Sequence, residues 1–369
     1  MKTNLYSLQF ADIKRNTINN QPEINLYSLS MLNKLKLHPA LYWELTQDGI
    51  KCRLCPHECL IKKEKIGICK TRVNVENKLF TKAFGNICSI SIDPIEKKPL
   101  FHFSPSSETF SIAIGGCTFR CLNCQNYSIS QKDPESVEQY YLSPEQIVTK
   151  AIKNNCNSIS YTYSEPVAFF EFMLETANIA RSKGINNIMV SNGYINHKPL
   201  AELSQYLDAA NIDLKTFDNT IYKKISGGSL QPVLDTLIML HEKGVWLEIT
   251  YLIIPEWSDN LNSIREMCNW LFANNFSDVP LHFSRFFPTY KLDDLPPTPV
   301  EILVKAMEIA KQEGIKYVYF GNVREQNGEN TYCYNCKELL IKRTGFNVLE
   351  NHISNGKCNY CNSIVPGMW

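Results

Sequence analysis

Seven apolar, β-rich runs alternate with helical patterns through the middle of the chain. The runs cover residues 108–116, 158–163, 187–192, 209–214, 245–253, 280–286 and 317–322. Alternating strand and helix signals are typical of repeated β-α units, which build a sheet of parallel strands. The pattern therefore predicts an α/β core, a partial TIM-type (β/α)6 barrel that need not close, with a doubly wound open sheet as the alternative.

Several of the predicted helices carry capping residues at their ends. Ser143 precedes a proline at the first helical position and Gln146 at the third, which is the pattern of a capping box. Three later helices end at a glycine suited to the left-handed position after the last turn: Gly184, Gly244 and Gly314. These start and stop signals support the division of the core into β-α units.

The rest of the chain falls into three segments around this core. Residues 1–45 form a polar, variable N-terminal segment, in which residues 40–45 are predicted to form a short apolar helix. Residues 46–105 are predicted to form a small Cys-rich N-terminal cap, and residues 106–322 the core. Residues 323–369 contain two Cys-x2-Cys pairs and are predicted to form a C-terminal metal ribbon.

Composition and charge narrow the class of protein. Hydrophobic residues are 44% and charged residues 20% of the chain, and the formal net charge is +1. Near-neutral charge gives no electrostatic case for a nucleic-acid partner, and no apolar run approaches the roughly 18 residues of a membrane span. We expect a cytoplasmic protein without a membrane partner, whose 14 cysteines stay reduced or bind metal.

The most specific motif is a cysteine triplet that directly follows the first predicted core strand. Cys117, Cys121 and Cys124 have the spacing Cys-x3-Cys-x2-Cys. Three thiolates this close in sequence can bind three irons of a [4Fe–4S] cluster and leave the fourth iron without a protein ligand. This spacing is the hallmark of the radical S-adenosylmethionine (radical SAM) enzymes, which the chain resembles here, and it marks the three cysteines as the catalytic set.

Polar residues also follow later strands of the predicted core. Because parallel strands end at the same edge of a barrel, these side chains are expected to face the cysteine triplet. The candidates are Glu165, Ser191, Asn192, Asp213, Lys215, His282 and Arg285.

Four sequence runs narrow the resemblance to the AmmeMemoRadiSam-system radical SAM enzymes, relatives of the pyruvate formate-lyase activating enzymes. The runs cover residues 52–59, 93–100, 163–166 and 191–195. The resemblance implies a [4Fe–4S] cluster that reductively cleaves SAM to a 5′-deoxyadenosyl radical, which abstracts hydrogen from an unidentified substrate. It also implies an electron donor of the flavodoxin or ferredoxin type and, as candidate partners, Memo-type and Amme-type proteins.

The resemblance assigns the amino-acid part of SAM to residues at the second and third strand ends. Glu165 matches the acidic residue that binds the SAM amino group, although relatives usually have Gly-Gly-Glu where this chain has Tyr-Ser-Glu-Pro. Asn192 matches the family position near the SAM ribose or carboxylate, and Ser191 next to it is a further candidate for cofactor binding. An ordinary helix N-terminal acid is the alternative role for Glu165.

The remaining candidates have less specific roles in the resemblance. Asp213 orients SAM or holds a monovalent cation, and Lys215 pairs with a carboxylate, with a simple strand-end salt bridge as the alternative. Phe119, inside the cysteine loop, shields the cluster and adenine from water. His282 and Arg285 meet SAM or substrate, and a hydrogen-bonded core histidine is the alternative for His282.

Two further groups of four cysteines flank the core. The C-terminal group suits a tetrahedral four-thiolate site for zinc, with iron as the alternative: Cys333, Cys336, Cys358 and Cys361. The N-terminal group suits zinc, with His57 as an optional ligand, or an auxiliary cluster that relays electrons: Cys52, Cys55, Cys59 and Cys69. The two groups could also share one site.

The charged run at residues 93–100 and two other functions complete the expectations. In this run Glu96, Lys97 and Lys98 lie between two prolines and Asp93 stands just before the first, so the run is either a solvated face or a site for an anionic substrate group or docking partner. A glycyl-radical-enzyme activating enzyme is the second enzymatic function. A non-catalytic zinc-ribbon module that contacts nucleic acid is the third, and the near-neutral charge opposes it.

Overall fold

The computed structural model describes residues 37–323 and 328–369. Most of the N-terminal segment predicted over residues 1–45 therefore lies outside the described residues. Within the described ranges, no helix combines the length and the apolar character that a membrane crossing requires.

A nine-stranded sheet forms the centre of the protein. Its strands are β7 (Asn86–Pro94), β8 (Glu108–Ile114), β9 (Tyr140–Tyr141), β10 (Ser158–Tyr161), β11 (Asn186–Ser191), β12 (Ala209–Asp213), β13 (Trp246–Ile253), β14 (Leu281–Arg285) and β15 (Val318–Gly321). Seven of them, β8 and β10 to β15, are parallel and coincide with the seven apolar runs of the sequence.

The order of the parallel strands decides between the two predicted architectures. Each strand pairs with the next one along the chain, from β8 through β10 to β15, without a reversal. A doubly wound sheet needs a point where the strand order reverses, so this alternative is wrong. Among the described residues the sheet ends at β15 on one side and at the antiparallel pair β7 and β9 on the other, so the α/β barrel is partial.

The connections between the parallel strands are helical, as the alternating pattern predicted. The described residues contain α1 (Tyr127–Ser130), α2 (Pro144–Lys153), α3 (Phe170–Ser182), α4 (His197–Leu203), α5 (Asn219–Ser226), α6 (Leu230–Glu242), α7 (Leu261–Ala273) and α8 (Val300–Gln312). The predicted capping box of α2 is present, with the Ser143 hydroxyl accepting from the Gln146 N–H and the Gln146 side chain accepting from the Ser143 N–H. Helices α3 and α6 end before glycines with φ of 71° and 72°.

Small antiparallel sheets precede the core. They contain β1 (His38–Pro39), β2 (Trp43–Thr46), β3 (Gly49–Cys52), β4 (Leu60–Ile61), β5 (Arg72–Val75) and β6 (Lys78–Thr81). The helix predicted over residues 40–45 is wrong, because Trp43–Thr46 pairs with Gly49–Cys52 as a hairpin. Tyr42 has φ of 57°, a left-handed conformation that interrupts a helix.

The C-terminal ribbon consists of short strands that pack against the core. It contains β16 (Thr331–Tyr332), β17 (Leu339–Thr344), β18 (Asn347–Asn351), β19 (Ile353–Ser354) and β20 (Lys357–Cys358). Leu340 and Ile341 share a buried cluster with Phe101 and Tyr319. Arg343 of β17 reaches further and donates from Nη2 to the Phe101 carbonyl oxygen at 2.7 Å.

The segment between β7 and β8 covers another part of the sheet. Ile95, Leu100 and Phe103 pack against Ile188 of β11 and Ala209 of β12. The adjacent residues Asn211 and Thr250 are polar and buried, and the Asn211 amide donates to the Pro99 carbonyl oxygen at 2.9 Å. This segment therefore fills space over the middle strands and leaves their carboxyl ends to the loops.

Candidate active site

The cysteine triplet lies on a loop that begins where β8 ends and is held by backbone hydrogen bonds. The Arg120 N–H donates to the Ser226 carbonyl at 2.8 Å, and the Leu122 N–H donates to the Ile225 carbonyl at 2.9 Å. Gly116 enters the loop with φ of 108°, and a Cβ atom there would lie 2.7 Å from the Cys69 carbonyl oxygen. Glycine is therefore required at this position both by the backbone conformation and by the contact with the N-terminal cysteine segment.

The three thiols are free and receive hydrogen-bond donors. Cys117 Sγ accepts from the Phe119 N–H at 3.3 Å and lies 3.9 Å from the Asn192 amide nitrogen. Cys124 Sγ lies 3.0 Å from the Ser130 hydroxyl. Donors aimed at sulfur stabilise thiolates and the clusters that they bind, so the donor set fits a [4Fe–4S] cluster with one open iron.

The thiol pKa values also fit a metal-binding role. Burial raises the pKa of Cys121 to about 11, and burial together with the charge of Glu165 raises the pKa of Cys117 well above its usual value. Thiols in such an environment stay protonated at neutral pH unless a metal displaces the proton. Cys117 and Cys121 would therefore lose their protons only if a metal bound to their sulfurs.

Glu165 joins the ends of β10 and β11. Its Oε1 accepts from the Ser191 hydroxyl at 2.7 Å and from the Val167 N–H at 3.0 Å, and its Oε2 accepts from the Asn192 N–H at 2.9 Å. Burial raises the pKa of Glu165 to about 7 in spite of these donors. A carboxylate can accept about four hydrogen bonds, so one acceptor position stays available to a ligand amino group.

Asn192 connects this carboxylate to the cysteine loop. Its side-chain amide donates to the Thr118 hydroxyl at 3.0 Å, next in sequence to Cys117. Its Oδ1 accepts from the Tyr194 N–H at 2.9 Å, which fixes the orientation of the amide. The predicted residues Glu165, Ser191 and Asn192 thus form one hydrogen-bonded unit with the triplet loop.

Asp213 and Lys215 also face the triplet, as an ion pair. Lys215 Nζ lies 2.7 Å from Asp213 Oδ2 at the end of β12. Burial would lower the pKa of Lys215, but the charges of Asp213 and Cys121 outweigh it and raise this pKa above its usual value. The structure has the strand-end salt bridge that was the alternative, and it places this pair beside Cys121.

Phe119, inside the cysteine loop, is buried among aromatic rings. Its ring centroid lies 4.9 Å from that of Tyr194 and 6.0 Å from that of Tyr222. A Cβ atom at Gly228 would lie 2.2 Å from this ring, so glycine is needed for the aromatic group to fit. The position agrees with a side chain that excludes water from the loop.

The hydrogen bonds of His282 and Arg285 hold these side chains to groups outside the cysteine triplet. His282 Nε2 lies 2.6 Å from Glu248 Oε2, and its ring is stacked on Tyr319 in the core. Arg285 donates from Nε to the Thr298 carbonyl at 2.8 Å, and its guanidinium lies over Phe287. His282 therefore occupies the core position that was its alternative, and cofactor binding by either residue stays a prediction.

Most of the charged run at residues 93–100 is buried, so it is not a solvated face, and Lys97 is its exposed member. Asp93 is 3% and Lys98 1% exposed, and Lys98 Nζ lies 2.6 Å from Asp93 Oδ2. Burial lowers the pKa of Lys98 to about 8. Tyr163, at the end of β10, donates its hydroxyl proton to Asp93, while Lys97 lies 2.7 Å from the other oxygen. Asp93, Lys97 and Lys98 together carry net positive charge when both lysines are protonated, and a role of the run with an anionic substrate stays a prediction.

Sequence reasoning did not find Tyr163 as a functional candidate. The Tyr163 carbonyl oxygen accepts from the side-chain amide of Asn126 at 2.8 Å, and Asn126 stands two residues after Cys124. Tyr163 therefore links the cysteine loop to the charged run. In the structure Tyr163 stands out by its φ of 64°, a left-handed conformation that costs a non-glycine residue energy. The sequence does not reveal this conformation.

The four C-terminal cysteines form a close group without any N-terminal cysteine. The four Sγ atoms of Cys333, Cys336, Cys358 and Cys361 all lie within 4.8 Å of one another. Zinc–sulfur bonds of about 2.3 Å in a tetrahedron place sulfurs about 3.8 Å apart, and two of the distances here are 3.7 Å. The idea that the N- and C-terminal groups share one site is therefore wrong, and zinc stays the predicted metal of this group.

Comparison with known proteins agrees with this geometry. Residues 111–271 match the model of the Radical SAM superfamily. The uncharacterized protein MJ0808 of Methanocaldococcus jannaschii is 45% identical over 328 residues, 88% of this chain and 98% of that protein. The pyruvate formate-lyase 1-activating enzyme of Escherichia coli K12 is 24% identical over 220 residues, 55% of this chain and 89% of that enzyme.

A solved structure, Streptococcus suis SuiB bound to S-adenosylmethionine, has a TM-score of 0.46 at 14% identity over 62% of this chain and 53% of that chain. The match to MJ0808 extends over most of the chain, and the superfamily match includes the cysteine triplet and the strands beside it. The chain therefore belongs to the same family as MJ0808 and carries a radical SAM domain similar to that of the pyruvate formate-lyase activating enzymes.

Proposed function

We propose that the protein is a radical SAM enzyme of the AmmeMemoRadiSam type that abstracts hydrogen from a substrate still to be identified. The observation that carries the proposal is the hydrogen-bonded unit of Glu165, Asn192 and the Cys117 loop across three neighbouring strand ends. When bound, a [4Fe–4S] cluster with SAM on its open iron supplies reductive cleavage to a 5′-deoxyadenosyl radical.

The chain's own residues hold and shield this chemistry. Cys117, Cys121 and Cys124 bind the cluster, and Glu165 accepts from the amino group of SAM with its spare acceptor position. Asn192 and Ser191 fix that carboxylate in place before SAM arrives, which lowers the cost of binding.

The test is SAM cleavage by the full chain, reconstituted anaerobically with iron and sulfide and reduced with dithionite. We expect 5′-deoxyadenosine, and deuterium in that product when a deuterated candidate substrate is present. A reconstituted protein that holds its cluster but never cleaves SAM would contradict the proposal. Candidate substrates include Memo-type and Amme-type proteins, a choice supported by the sequence runs at residues 93–100 and 163–166.

Activation of a glycyl radical enzyme is the second candidate function. It is favoured by the similarity to the Escherichia coli pyruvate formate-lyase 1-activating enzyme, which extends over 89% of that enzyme. Incubation of the reduced protein with SAM and a candidate partner protein separates the two functions. A glycyl doublet in the electron paramagnetic resonance (EPR) spectrum supports activation, and turnover without the doublet supports a hydrogen-donating substrate of another kind.

The raised pKa of Glu165 predicts that SAM binding depends on pH. The folded-state pKa of about 7 lies above the usual 4.5, so the carboxyl group is mostly protonated at pH 6 and mostly ionised at pH 7.5. The ionised fraction, which is the form that accepts from the SAM amino group, rises about eightfold over this interval. We expect SAM affinity, measured by equilibrium dialysis, to rise by a similar factor.

Glu165→Gln is the matched variant, because it keeps the side-chain length and removes the titration. Any pH dependence that belongs to SAM itself persists in this variant, so the wild type should have the steeper slope. Equal slopes in the two proteins would show that Glu165 does not titrate against SAM. The variant should also bind SAM more weakly at pH 7.5, since it loses the charge and one acceptor oxygen.

A further inference from the structure

The N-terminal cysteines surround a cavity that the proposed function does not use. Cys52 ends β3, Cys55 and Cys59 follow on a turn, and Cys69 comes after β4. All four line the cavity together with His57 and Arg72. Each thiol lies close enough to the other three for their charges to interact. The four residues therefore face one common space.

The spacing of these sulfurs differs from that of the C-terminal group. In the described part of the chain, the C-terminal four are the only set of three or more metal-ligand side chains whose ligand atoms lie within 4.8 Å of one another. Neither the N-terminal four nor the triplet Cys117, Cys121 and Cys124 forms such a close group. One zinc ion draws its sulfurs to about 3.8 Å, whereas a cubic cluster binds each thiolate at a different iron and keeps the sulfurs farther apart.

Arg72 gives a second, independent observation, because it places a buried positive charge beside the thiols. It is 1% exposed and lines the cavity, and its Nη1 donates to Cys52 Sγ at 3.7 Å. Its other contacts are the Leu41 carbonyl and the buried carboxylate of Glu171, while its Nε has no hydrogen-bond partner. Its positive charge acts on Cys52, Cys55 and Cys69, so it favours their thiolate forms and would stabilise a cluster with net negative charge.

The cavity also lies directly behind the cysteine triplet loop. His57 Nε2 lies 2.7 Å from the carbonyl oxygen of Thr118, the residue after Cys117, and Thr118 itself lines the cavity. On the other side, Gly116 packs against the Cys69 backbone. Because His57 Nε2 donates to this carbonyl, the side chain of His57 supports the triplet loop. We therefore take the four thiols, without His57, as the ligand set.

We propose that Cys52, Cys55, Cys59 and Cys69 bind a second [4Fe–4S] cluster, which passes single electrons to the cluster held by Cys117, Cys121 and Cys124. Four thiolates saturate all four irons, so this cluster has no open position for SAM and serves electron transfer only. This relay role rests on the proposed function, whereas the site itself does not.

The electron balance of the relay is simple. A low-potential one-electron donor of the flavodoxin or ferredoxin type reduces the N-terminal cluster from the 2+ to the 1+ state. That cluster returns to 2+ as the triplet cluster goes from 2+ to 1+, and no covalent bond forms or breaks. Cys59 and Cys69 are partly exposed, which gives a donor protein access to this side of the cavity.

The experiment counts metals in the full chain after anaerobic reconstitution and compares the wild type with Cys117→Ala/Cys121→Ala/Cys124→Ala. We expect about eight iron atoms per wild-type chain, and about four in the triple variant, with a reduced-cluster EPR signal that SAM does not change. About four iron and two zinc atoms in the wild type, with no iron in the triple variant, would overturn the proposal. The wild-type count decides alone if the variant does not fold.

Two further variants give the controls. Cys59→Ser/Cys69→Ser should lose about half of the wild-type iron and keep the SAM-responsive signal, while Cys333→Ala/Cys336→Ala should keep all of the iron. Iron that stays at the wild-type level in Cys59→Ser/Cys69→Ser would also overturn the proposal. A triple variant with four irons beside a wild type that never responds to SAM would leave this site standing and refute the proposed function instead.

Discussion

Replacing Cys121 by alanine is expected to abolish SAM cleavage, with a loss of at least about a thousandfold in the rate of 5′-deoxyadenosine formation. The loop offers three thiols, and the loss of one leaves a second iron without a protein ligand. Cys121 is also the thiol beside the Asp213–Lys215 pair, so its removal leaves that pair without the charge it faces. The measurement is product formation under dithionite, with the SAM-induced change of the EPR signal as a readout of binding.

Cys156→Ala is the matched control for this experiment. Cys156 is a buried thiol outside the three cysteine groups, so its loss tests the effect of removing a thiol without touching a ligand. We expect this control to cleave SAM at the wild-type rate. A Cys121→Ala protein that still cleaves SAM would show that the triplet is not the site of the chemistry. Iron that falls by half rather than to zero would agree with a second cluster.

The sequence predicted the parts of the site that depend on local pattern. The seven apolar runs match the seven parallel strands, because a buried strand must be apolar wherever it lies in the sheet. The gathering of Glu165, Ser191 and Asn192 near the triplet followed from the same argument, since parallel strands end together. The helix ends at Gly184 and Gly244 could also be predicted, because they depend only on the neighbouring residues.

The sequence could not predict contacts that depend on distant segments. The run at residues 93–100 has the composition of a solvated face, yet Asp93 is buried because its partner Tyr163 comes from another strand end. Arg343 of the ribbon reaches the Phe101 carbonyl, a contact between residues 242 positions apart. The sequence alone suggested His282 as a site residue, because its partner Glu248 lies on a different strand and could not be foreseen.

Loss of Glu248 should strongly reduce the stability of the fold. Its carboxylate is fully buried and accepts four hydrogen bonds: from the Phe101 N–H at 3.0 Å, the His102 N–H at 2.7 Å, Trp246 Nε1 at 3.1 Å and His282 Nε2 at 2.6 Å. Burial would raise the pKa of Glu248, but the hydrogen bond and charge of His282 and the charge of His102 hold it below its usual value. The carboxylate is therefore ionised at neutral pH and joins the segment at residues 101–102 to β13 and β14.

We expect Glu248→Ala to lower the free energy of unfolding by roughly 3–5 kcal/mol, because four buried donors lose their acceptor. The thermal midpoint should fall by roughly 5–10 °C, measured by circular dichroism on protein reconstituted in the same way as the wild type. Glu248→Gln should lose less, since its amide keeps one acceptor oxygen, while its NH2 group meets donors instead of acceptors.

Glu108→Ala gives the matched control, since this glutamate is exposed at the first position of β8 and should change the midpoint by less than about 1 °C. The carboxylate network lies between the core strands and the segment from Phe101 to His102. His102 in turn donates from Nδ1 to the Pro366 carbonyl oxygen at 2.7 Å, and its Nε2 lies 2.6 Å from the Tyr319 hydroxyl. Loss of Glu248 should therefore loosen the C-terminal ribbon as well, seen as faster release to a chelator of the metal predicted at Cys333, Cys336, Cys358 and Cys361. A Glu248→Ala protein with the wild-type midpoint would show that the ribbon and core are joined mainly by apolar packing around Phe101 and Leu340.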